Sequence, residues 1–260
     1  MTANDDPTAL VPCARSSAMV ANLLPSAVAV AAIRGAADAQ TLHAEERAAG
    51  RAFAPKRLAE YAGGRFAARV ALASLGVADY PLLRSSDGQP RWPPGITGSI
   101  THTEDFCAAA VAGRDRCRSI GIDAERMGRV NEDLWPLLFR AEEIAALRRL
   151  PRERRSAAAT LCFSAKEAYY KYQFPLTAAW LDFTDVAIDV DGDVRAAGTF
   201  RVSAAGDAGG ARAGATGRYA FDGPLVVTAI TGPGDLRTFS ERSPDRLGNT
   251  STSPGPGDTR

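Results

Sequence analysis

Alternating apolar and polar positions predict a β-strand in residues 119–126, "SIGIDAER". Successive side chains of a strand point to opposite faces of its sheet, so Ile120 and Ile122 share one face. Asp123 and Glu125 then share the other face, where two like charges repel each other. We therefore expect a solvated edge, a pair of arginines or a divalent cation beside these two carboxylates.

Two long helical patterns separate the predicted strands. The first covers 53–76, with Pro55 in its first turn and Gly76 as its cap, and Gly63–Gly64 indicate a bend or a close approach of another backbone. The second covers about 154–173 and ends before Pro175, after a short helix in "RAEEIAALRRL". Residues 16–33 are interpreted as a loop and a strand, "AVAVAAI". Further strands are predicted at 107–112 and 119–124, which we expect to pair with each other, and at 185–190, 194–202 and 218–230.

This succession predicts an α+β fold of two similar lobes. Each lobe is expected to contain a small, mostly antiparallel sheet packed with a long helix, although no tandem repeat is found at the level of single residues. The predicted organisation is a flexible N-terminus (1–15), an N-terminal lobe (16–118), a C-terminal lobe (119–231) and a disordered tail rich in Pro, Gly and Ser (232–260).

Composition narrows the function classes. The 260 residues have a net charge of +1, which offers no electrostatic case for binding nucleic acid or an anionic membrane. The four cysteines have neither zinc-site nor disulfide-framework spacing, so we expect reduced thiols in a cytoplasmic protein. An acidic start, "MTANDDPTAL", argues against a secretory signal, and the uncharged stretch 16–33 is interrupted by polar residues and Pro25, which argues against a membrane span.

Glu167 and Lys171 lie four residues apart in "FSAKEAYYKYQFPLT" and so face the same side of a helix. An ordinary intrahelical ion pair is one interpretation. Joined to Asp123 and Glu125, which could equally be a structural edge-strand pair, Glu167 would complete a trio of hard oxygen ligands. Such a trio suits Mg²⁺, with Mn²⁺ as the alternative ion.

His102 lies in "GSITHTEDF" beside Ser99, Thr101 and Thr103. A lone histidine is most often structural, but these neighbours offer hydroxyl groups suited to a phosphate or a ribose. His43 has no such neighbours, and we interpret it as a surface residue.

Arginines are concentrated on and after the first long helix. Arg57, Arg65 and Arg69 lie within about 40° of one helical face, and Arg84 and Arg91 follow on the next loop. They are either solvated surface charges or a clamp for a polyphosphate, whose oxygens match the guanidinium fork.

Several of these segments, in this order, resemble the 4′-phosphopantetheinyl transferases. The segments are "KRLAEYAGGRFAARVALASLG", "DGQPRWPPGITGS", "GSITHTEDFCAAAVA", "SIGIDAER", "FSAKEAYYKYQFPLT" and "LDFTDVAI". The resemblance extends from about residue 24 to residue 231. It is closest to the larger, single-chain, two-lobed type that activates siderophore, polyketide and nonribosomal peptide synthases.

The resemblance implies a reaction. Coenzyme A, the substrate, would bind in a cleft between the lobes, and a serine of an apo acyl or peptidyl carrier protein would attack the phosphorus that bears pantetheine. The products would be the holo-carrier protein and 3′,5′-ADP, and the enzyme would act as a monomer. Mg²⁺ would be held by Asp123, Glu125 and Glu167.

The resemblance also implies roles for single residues. Lys171 and Lys166 would contact the phosphates, and Glu167 is the candidate general base, with Glu125 acting through water as the other option. His102 and Thr101 would lie near the 3′-phosphate of coenzyme A. The nucleotide end would be held by Arg57, Arg65 and Arg84, whereas Arg69 is assigned to helix packing or ion pairing.

Two other functions fit the same residues. A Mg²⁺-dependent phosphohydrolase acting on a coenzyme A-like diphosphate would use the same carboxylates, and a non-catalytic coenzyme A-binding protein would keep the pocket without turnover. The arginine-rich stretch 140–155 could dock a carrier protein, or it could be a solvated helical surface.

Overall fold

The computed structural model describes residues 11–191, 194, 196–204 and 215–232. Most of the predicted flexible N-terminus, nearly all of the predicted tail and part of the segment between the predicted strands 185–190 and 194–202 lie outside these residues. The helices in the described part are α1 (Ala14–Ala21), α2 (Ala44–Ala49), α3 (Pro55–Ala73), α4 (Trp135–Leu138), α5 (Ala141–Arg149) and α6 (Arg152–Thr177).

The strands form two antiparallel sheets. The first sheet has the order β1–β3–β2 and consists of β1 (Ala29–Arg34), β2 (Ile96–Thr103) and β3 (Phe106–Gly113). The second has the order β4–β8–β7–β6–β5 and consists of β4 (Ile120–Arg126), β5 (Val186–Val190), β6 (Ala197–Ala204), β7 (Thr216–Asp222) and β8 (Leu225–Thr231). Together with the helices, they confirm the predicted α+β class.

The predicted pairing between 107–112 and 119–124 is wrong. β3 lies between β1 and β2, whereas β4 pairs with β8 at the edge of the other sheet. A turn of two residues, Glu104 and Asp105, joins β2 to β3 and makes these two strands a hairpin. Sequence order alone does not reveal that β4 pairs with a strand about 100 residues later.

Close helix–sheet contacts explain the glycines of the long helix. A Cβ on Gly63 would lie 2.7 Å from Cys107 Sγ, and one on Gly64 would lie 2.9 Å from Ile100 Cγ2. The glycine pair therefore marks the close approach of α3 to the first sheet.

The two sheets share a hydrophobic core. One cluster contains Phe106 and Ala110 of β3 together with Ile120 and Ile122 of β4 and Val227 of β8. This placement agrees with the expectation that the isoleucines of β4 face a core on the side opposite its carboxylates. The domain boundaries drawn from the sequence stay predictions.

Two helix boundaries differ from the sequence prediction. Residues 14–21 form α1 rather than a loop, and α6 continues through Pro175 to Thr177. Its end is marked by Ala178, which has a left-handed φ of 53°.

No helix in the described part of the chain is long and apolar enough to cross a lipid bilayer. The four cysteines are free, in agreement with the prediction of thiols.

Candidate active site

The candidate active site lies where α6 crosses β4. Gly121 makes this crossing possible because a Cβ there would collide with the carbonyl oxygen of Ala168 and lie 2.8 Å from Tyr172 N. Gly121, Asp123 and Glu125 share one face of the strand, so the helix that packs on Gly121 brings Glu167 and Lys171 towards the two carboxylates.

Lys171 makes the central contact of the site. Its Nζ donates to Asp123 Oδ1 at 2.7 Å and to the Ile122 carbonyl oxygen at 3.3 Å. Burial lowers the pKa of Lys171, but the charges of Asp123 and Glu167 outweigh burial and hold the pKa above its usual value. Lys171 is therefore a fixed positive charge beside the middle of β4.

The three carboxylates share this single ammonium group. Burial raises the pKa of Glu125 to about 7, and the charge of Asp123 adds to the effect. Burial likewise raises the pKa of Glu167, against the opposing charge of Lys171. Asp123 is buried, and its Oδ2 has no hydrogen-bond partner among the described residues. The site thus holds more negative charge than its own cation neutralises.

A metal site at this position stays a prediction. No three His, Cys, Asp or Glu side chains of the described residues form a group that could hold a metal ion as they stand. The donor chemistry nevertheless fits a hard divalent cation, since the oxygens of Asp123, Glu125 and Glu167 include a buried one without a partner and two carboxyls whose pKa is raised.

His102 belongs to a second polar group, between β2 and the first turns of α3. Its Nε2 accepts a hydrogen bond from Arg57 Nη1 at 2.6 Å, and its Nδ1 lies 3.6 Å from Glu60 Oε2. Burial and the charge of Arg57 lower the pKa of His102 to about 4, so the ring is neutral at pH 7. Arg57 is 43% exposed and can offer its remaining donors to an anion.

Three of the residues predicted to lie near coenzyme A make hydrogen bonds within the protein. Thr101 is buried, and its Oγ1 accepts from Ala124 N at 2.9 Å and donates to Asp123 Oδ1 at 3.3 Å. Arg65 is also buried, stacks on the Tyr61 ring and donates to Leu82 O at 3.1 Å. Arg84 is exposed and donates to Gly88 O at 3.1 Å.

Thr101 and Arg65 are thus buried and hydrogen-bonded within the fold, and their predicted positions near the 3′-phosphate and the nucleotide end of coenzyme A stay predictions. Thr101 and Ser99, which accepts from Ile122 N at 3.1 Å, instead join β2 to β4. The hydroxyls of Ser99 and Thr101 therefore connect the two sheets.

The Lys166 side chain lies in the interior, and its contact with the phosphates stays a prediction. Its side chain is 1% exposed, and its Nζ donates to Glu143 Oε2 at 2.6 Å and to two backbone carbonyls, those of Leu138 at 3.0 Å and Phe183 at 2.8 Å. An ammonium group has three hydrogens, and all three are used in the interior.

Two site residues were missed by sequence reasoning. Glu60 follows Arg57 by three positions, a spacing that signals an ion pair on one helical face. Gly121 offered a weaker signal, a glycine inside a strand, which indicates close approach of another backbone.

Comparison with known proteins assigns the family. A family model described as the 4′-phosphopantetheinyl transferase N-terminal domain matches residues 44–112, and one described as the 4′-phosphopantetheinyl transferase superfamily matches residues 119–213. The chain is 39% identical over 242 residues to 4′-phosphopantetheinyl transferase Svp of Streptomyces mobaraensis, covering 90% of this chain and 97% of the relative. The chain belongs to the 4′-phosphopantetheinyl transferase superfamily.

Other members are similar over shorter stretches. The transferase is 35% identical over 189 residues to PptT of Mycobacterium tuberculosis, covering 67% of this chain and 79% of the relative. It is 40% identical over 133 residues to enterobactin synthase component D of Salmonella typhimurium, covering 50% and 52%. The family resemblance stated from the sequence is thus confirmed, and with it the assignment as an enzyme that uses coenzyme A as substrate and acts on carrier proteins.

Proposed function

We propose that this transferase moves the 4′-phosphopantetheine arm of coenzyme A to a serine of an apo acyl or peptidyl carrier protein, with the help of Mg²⁺, and releases 3′,5′-ADP. The observation that supports this proposal best is the position of Lys171 against Asp123, beside Glu125 and Glu167. Transfer of a phosphoryl-bearing group requires positioning and neutralisation of a diphosphate, and this arrangement offers one fixed cation and ligands for another.

Asp123, Glu125 and Glu167 are the residues that would hold the divalent ion. When bound, the ion would supply Lewis-acid stabilisation of the negative charge on the diphosphate oxygens. Lys171 supplies a positive charge whose position is fixed by its hydrogen bond to Asp123. Asp123 keeps the ammonium group beside the middle of β4, and the Lys171 side chain is partly exposed there, so a diphosphate can approach it.

Glu167 is our candidate for the base that removes the proton of the carrier serine. A serine hydroxyl is a weak nucleophile near neutral pH unless a neighbouring group accepts its proton. Burial raises the pKa of Glu167, and a higher pKa makes its carboxylate a better proton acceptor. Glu125, acting through water, is the other candidate.

Arg57 and His102 are proposed to hold the 3′-phosphate end of coenzyme A. The neutral His102 ring orients Arg57 by accepting its hydrogen bond at 2.6 Å, and Glu60 holds the other side of the pair. Arg84, which is exposed on the following loop, adds a second guanidinium group. The enzyme is expected to act as a monomer.

The test is mass spectrometry of apo-carrier proteins after incubation with coenzyme A and Mg²⁺. The panel contains fatty-acid, polyketide, peptide-synthetase and siderophore carriers, because the sequence does not specify one. We expect the mass of one phosphopantetheine arm to be added at the acceptor serine, with equimolar release of 3′,5′-ADP. Release of 3′,5′-ADP without an acceptor would indicate a phosphohydrolase, and binding of coenzyme A without either product would indicate a non-catalytic binding protein.

A further inference from the structure

The residues before the two long helices repeat at a distance of 97 positions. The segments "HAEERAA" (43–49) and "RAEEIAA" (140–146) are identical at five of seven positions. They begin α2 and α5 in the same way, since Glu46 Oε2 accepts from His43 N at 3.0 Å and Glu143 Oε2 accepts from Arg140 N at 2.9 Å. This short repeat is not a tandem one, and it gives the expected similarity of the two halves a counterpart at the level of single residues.

The second oxygen of each carboxylate also has the same function. Glu46 Oε1 accepts from Leu82 N at 2.8 Å, and Glu143 Oε1 accepts from Ile188 N at 2.9 Å. Both amides follow the long helix of their own half of the chain. Glu46 is 1% exposed and Glu143 is 8% exposed, so each carboxylate is a buried link between a short helix and a later segment.

A cation from the long helix completes each group, again at the distance of 97 positions. Arg69 of α3 places Nη1 3.9 Å from Glu46 Oε2 and donates through Nη2 to Thr41 O at 2.7 Å. Lys166 of α6 donates to Glu143 Oε2 at 2.6 Å and to Leu138 O at 3.0 Å. We call these groups the Glu46 cluster (Thr41, His43, Glu46, Arg69, Leu82) and the Glu143 cluster (Leu138, Arg140, Glu143, Lys166, Ile188).

The residues after the cation are not repeated. Val70 and Ser74 follow Arg69 at the positions where Glu167 and Lys171 follow Lys166. The candidate catalytic pair therefore occurs in one half of the chain, whereas the buried cluster occurs in both. A phosphate contact at position 166 would need no counterpart on α3, but an attachment of the long helix explains both clusters.

We propose that the Glu143 cluster positions α6 for the transfer reaction, and that Lys166 is a positioning residue. Lys166 joins α6 to three other segments through Glu143, Leu138 and Phe183, directly before Glu167. These bonds fix the rotation and the axial position of the helix. The proposal rests on the proposed function, because it assumes that Glu167 and Lys171 act on the diphosphate.

The first test separates positioning from phosphate binding by steady-state kinetics with coenzyme A and an apo-carrier protein. K166M is expected to lower kcat about 10- to 100-fold while the KM for coenzyme A changes less than about twofold, since a small misplacement of reacting groups has effects of this size. K166R, which introduces the cation used by the Glu46 cluster, is expected to restore kcat to within about fivefold of the wild-type value. R69M, the matched variant in the other cluster, is expected to keep kcat within about threefold.

Three results would overturn the proposal. One is a K166M enzyme of reduced stability with wild-type kcat, which would mean that the cluster only stabilises the fold. Another is a raised KM for coenzyme A at unchanged kcat, which would make Lys166 a phosphate contact. The third is an equal loss of kcat in R69M. If K166M does not fold, the double variant K166M/E143Q replaces it, because it leaves no buried charge unpaired. We expect the double variant to fold and to have a lowered kcat. A wild-type kcat in this variant would again contradict the proposal.

The second test needs no turnover. Amide hydrogen exchange in residues 164–172 is expected to be faster in K166M than in the wild-type protein, with exchange in α3 unchanged. Unchanged exchange in α6 would overturn the positioning role. A wild-type protein that exchanges as expected but transfers nothing to any carrier would instead reject the proposed function and leave the attachment of α6 standing.

Discussion

Three carboxylates around one ammonium group define the chemistry at the scale of single residues. Asp123 has the direct contact with Lys171, and Glu125 and Glu167 hold their protons to a higher pH than usual because they are buried beside other negative charges. Three neighbouring carboxylates destabilise the folded protein when no cation is bound to them, and for the same reason they favour the binding of a cation.

Replacement of Glu167 tests the candidate base. We expect E167Q to lower kcat for transfer at least 100-fold, because the amide cannot accept the serine proton and is a poorer metal ligand. Coenzyme A should still bind through Arg57, His102 and Arg84, which isothermal titration calorimetry can measure. Transfer at the wild-type rate would remove Glu167 from the mechanism.

The raised pKa of Glu125 predicts a pH-dependent stability. The folded protein keeps the Glu125 proton up to about pH 7, whereas the usual pKa is 4.5, so stability is lost as the pH rises through this window. In buffer without divalent ions, we expect E125Q to be more stable than the wild-type protein by about 1–3 kcal/mol at pH 8 and nearly equal to it at pH 4.5.

Denaturant unfolding at the two pH values measures this difference. The control is E45Q, which replaces an exposed glutamate of α2 and should change stability equally little at both pH values. An E125Q stabilisation of the same size at pH 4.5 and pH 8 would contradict the assigned cause.

At the scale of secondary-structure elements, the packing of α6 on β4 brings the residues of the candidate site together. The helical spacing of Glu167 and Lys171 is visible in the sequence, but their approach to Asp123 depends on Gly121, which admits the α6 backbone to the strand. The sequence pattern also missed α1 and paired β3 with the wrong strand, since pairing between distant segments leaves no local signal.

G121A tests this crossing directly. The added methyl group would collide with Ala168 O, and neither backbone can yield without moving α6. We expect a loss of about 1–3 kcal/mol in the free energy of unfolding and at least a tenfold loss of kcat. G50A is the control, because the nearest atom there is the end of the Leu58 side chain at 3.1 Å. Equal activity of the two variants would show that the crossing tolerates a side chain at position 121.

At the scale of the whole molecule, both sheets are stabilised by one shared hydrophobic core. Phe106 of the first sheet and Val227 of the second are fully buried in one hydrophobic cluster. Ion pairs add contacts between the halves, such as Arg34 with Asp222 at 2.8 Å and Arg126 with Asp105. Ion pairs that stay partly exposed to solvent contribute about 0–1 kcal/mol each, so the apolar core contributes more to the stability of the molecule than these pairs do.

The shared core predicts that the two lobes unfold together. We expect F106A to lower the free energy of unfolding by about 3–5 kcal/mol and to shift one calorimetric transition that includes both sheets. D222N, which weakens the ion pairs of Asp222 with Arg34 and Arg15, should lower the free energy of unfolding by about 1 kcal/mol or less. Two separate transitions in F106A, one at the wild-type temperature, would show that the lobes are independent.

The sequence by itself determined the α+β class, the two long helices, the strand face shared by Asp123 and Glu125, and the family, because periodicity and ordered motifs are local properties of the chain. Only the tertiary structure decided which of the candidate residues meet. In the folded protein, Lys166 and Arg65 are buried and Thr101 joins the two sheets. Arg57 and His102 stay partly exposed at the surface. The physical reason is burial: the direction of a side chain on its element follows from local geometry, but its surroundings depend on segments that lie far away in sequence.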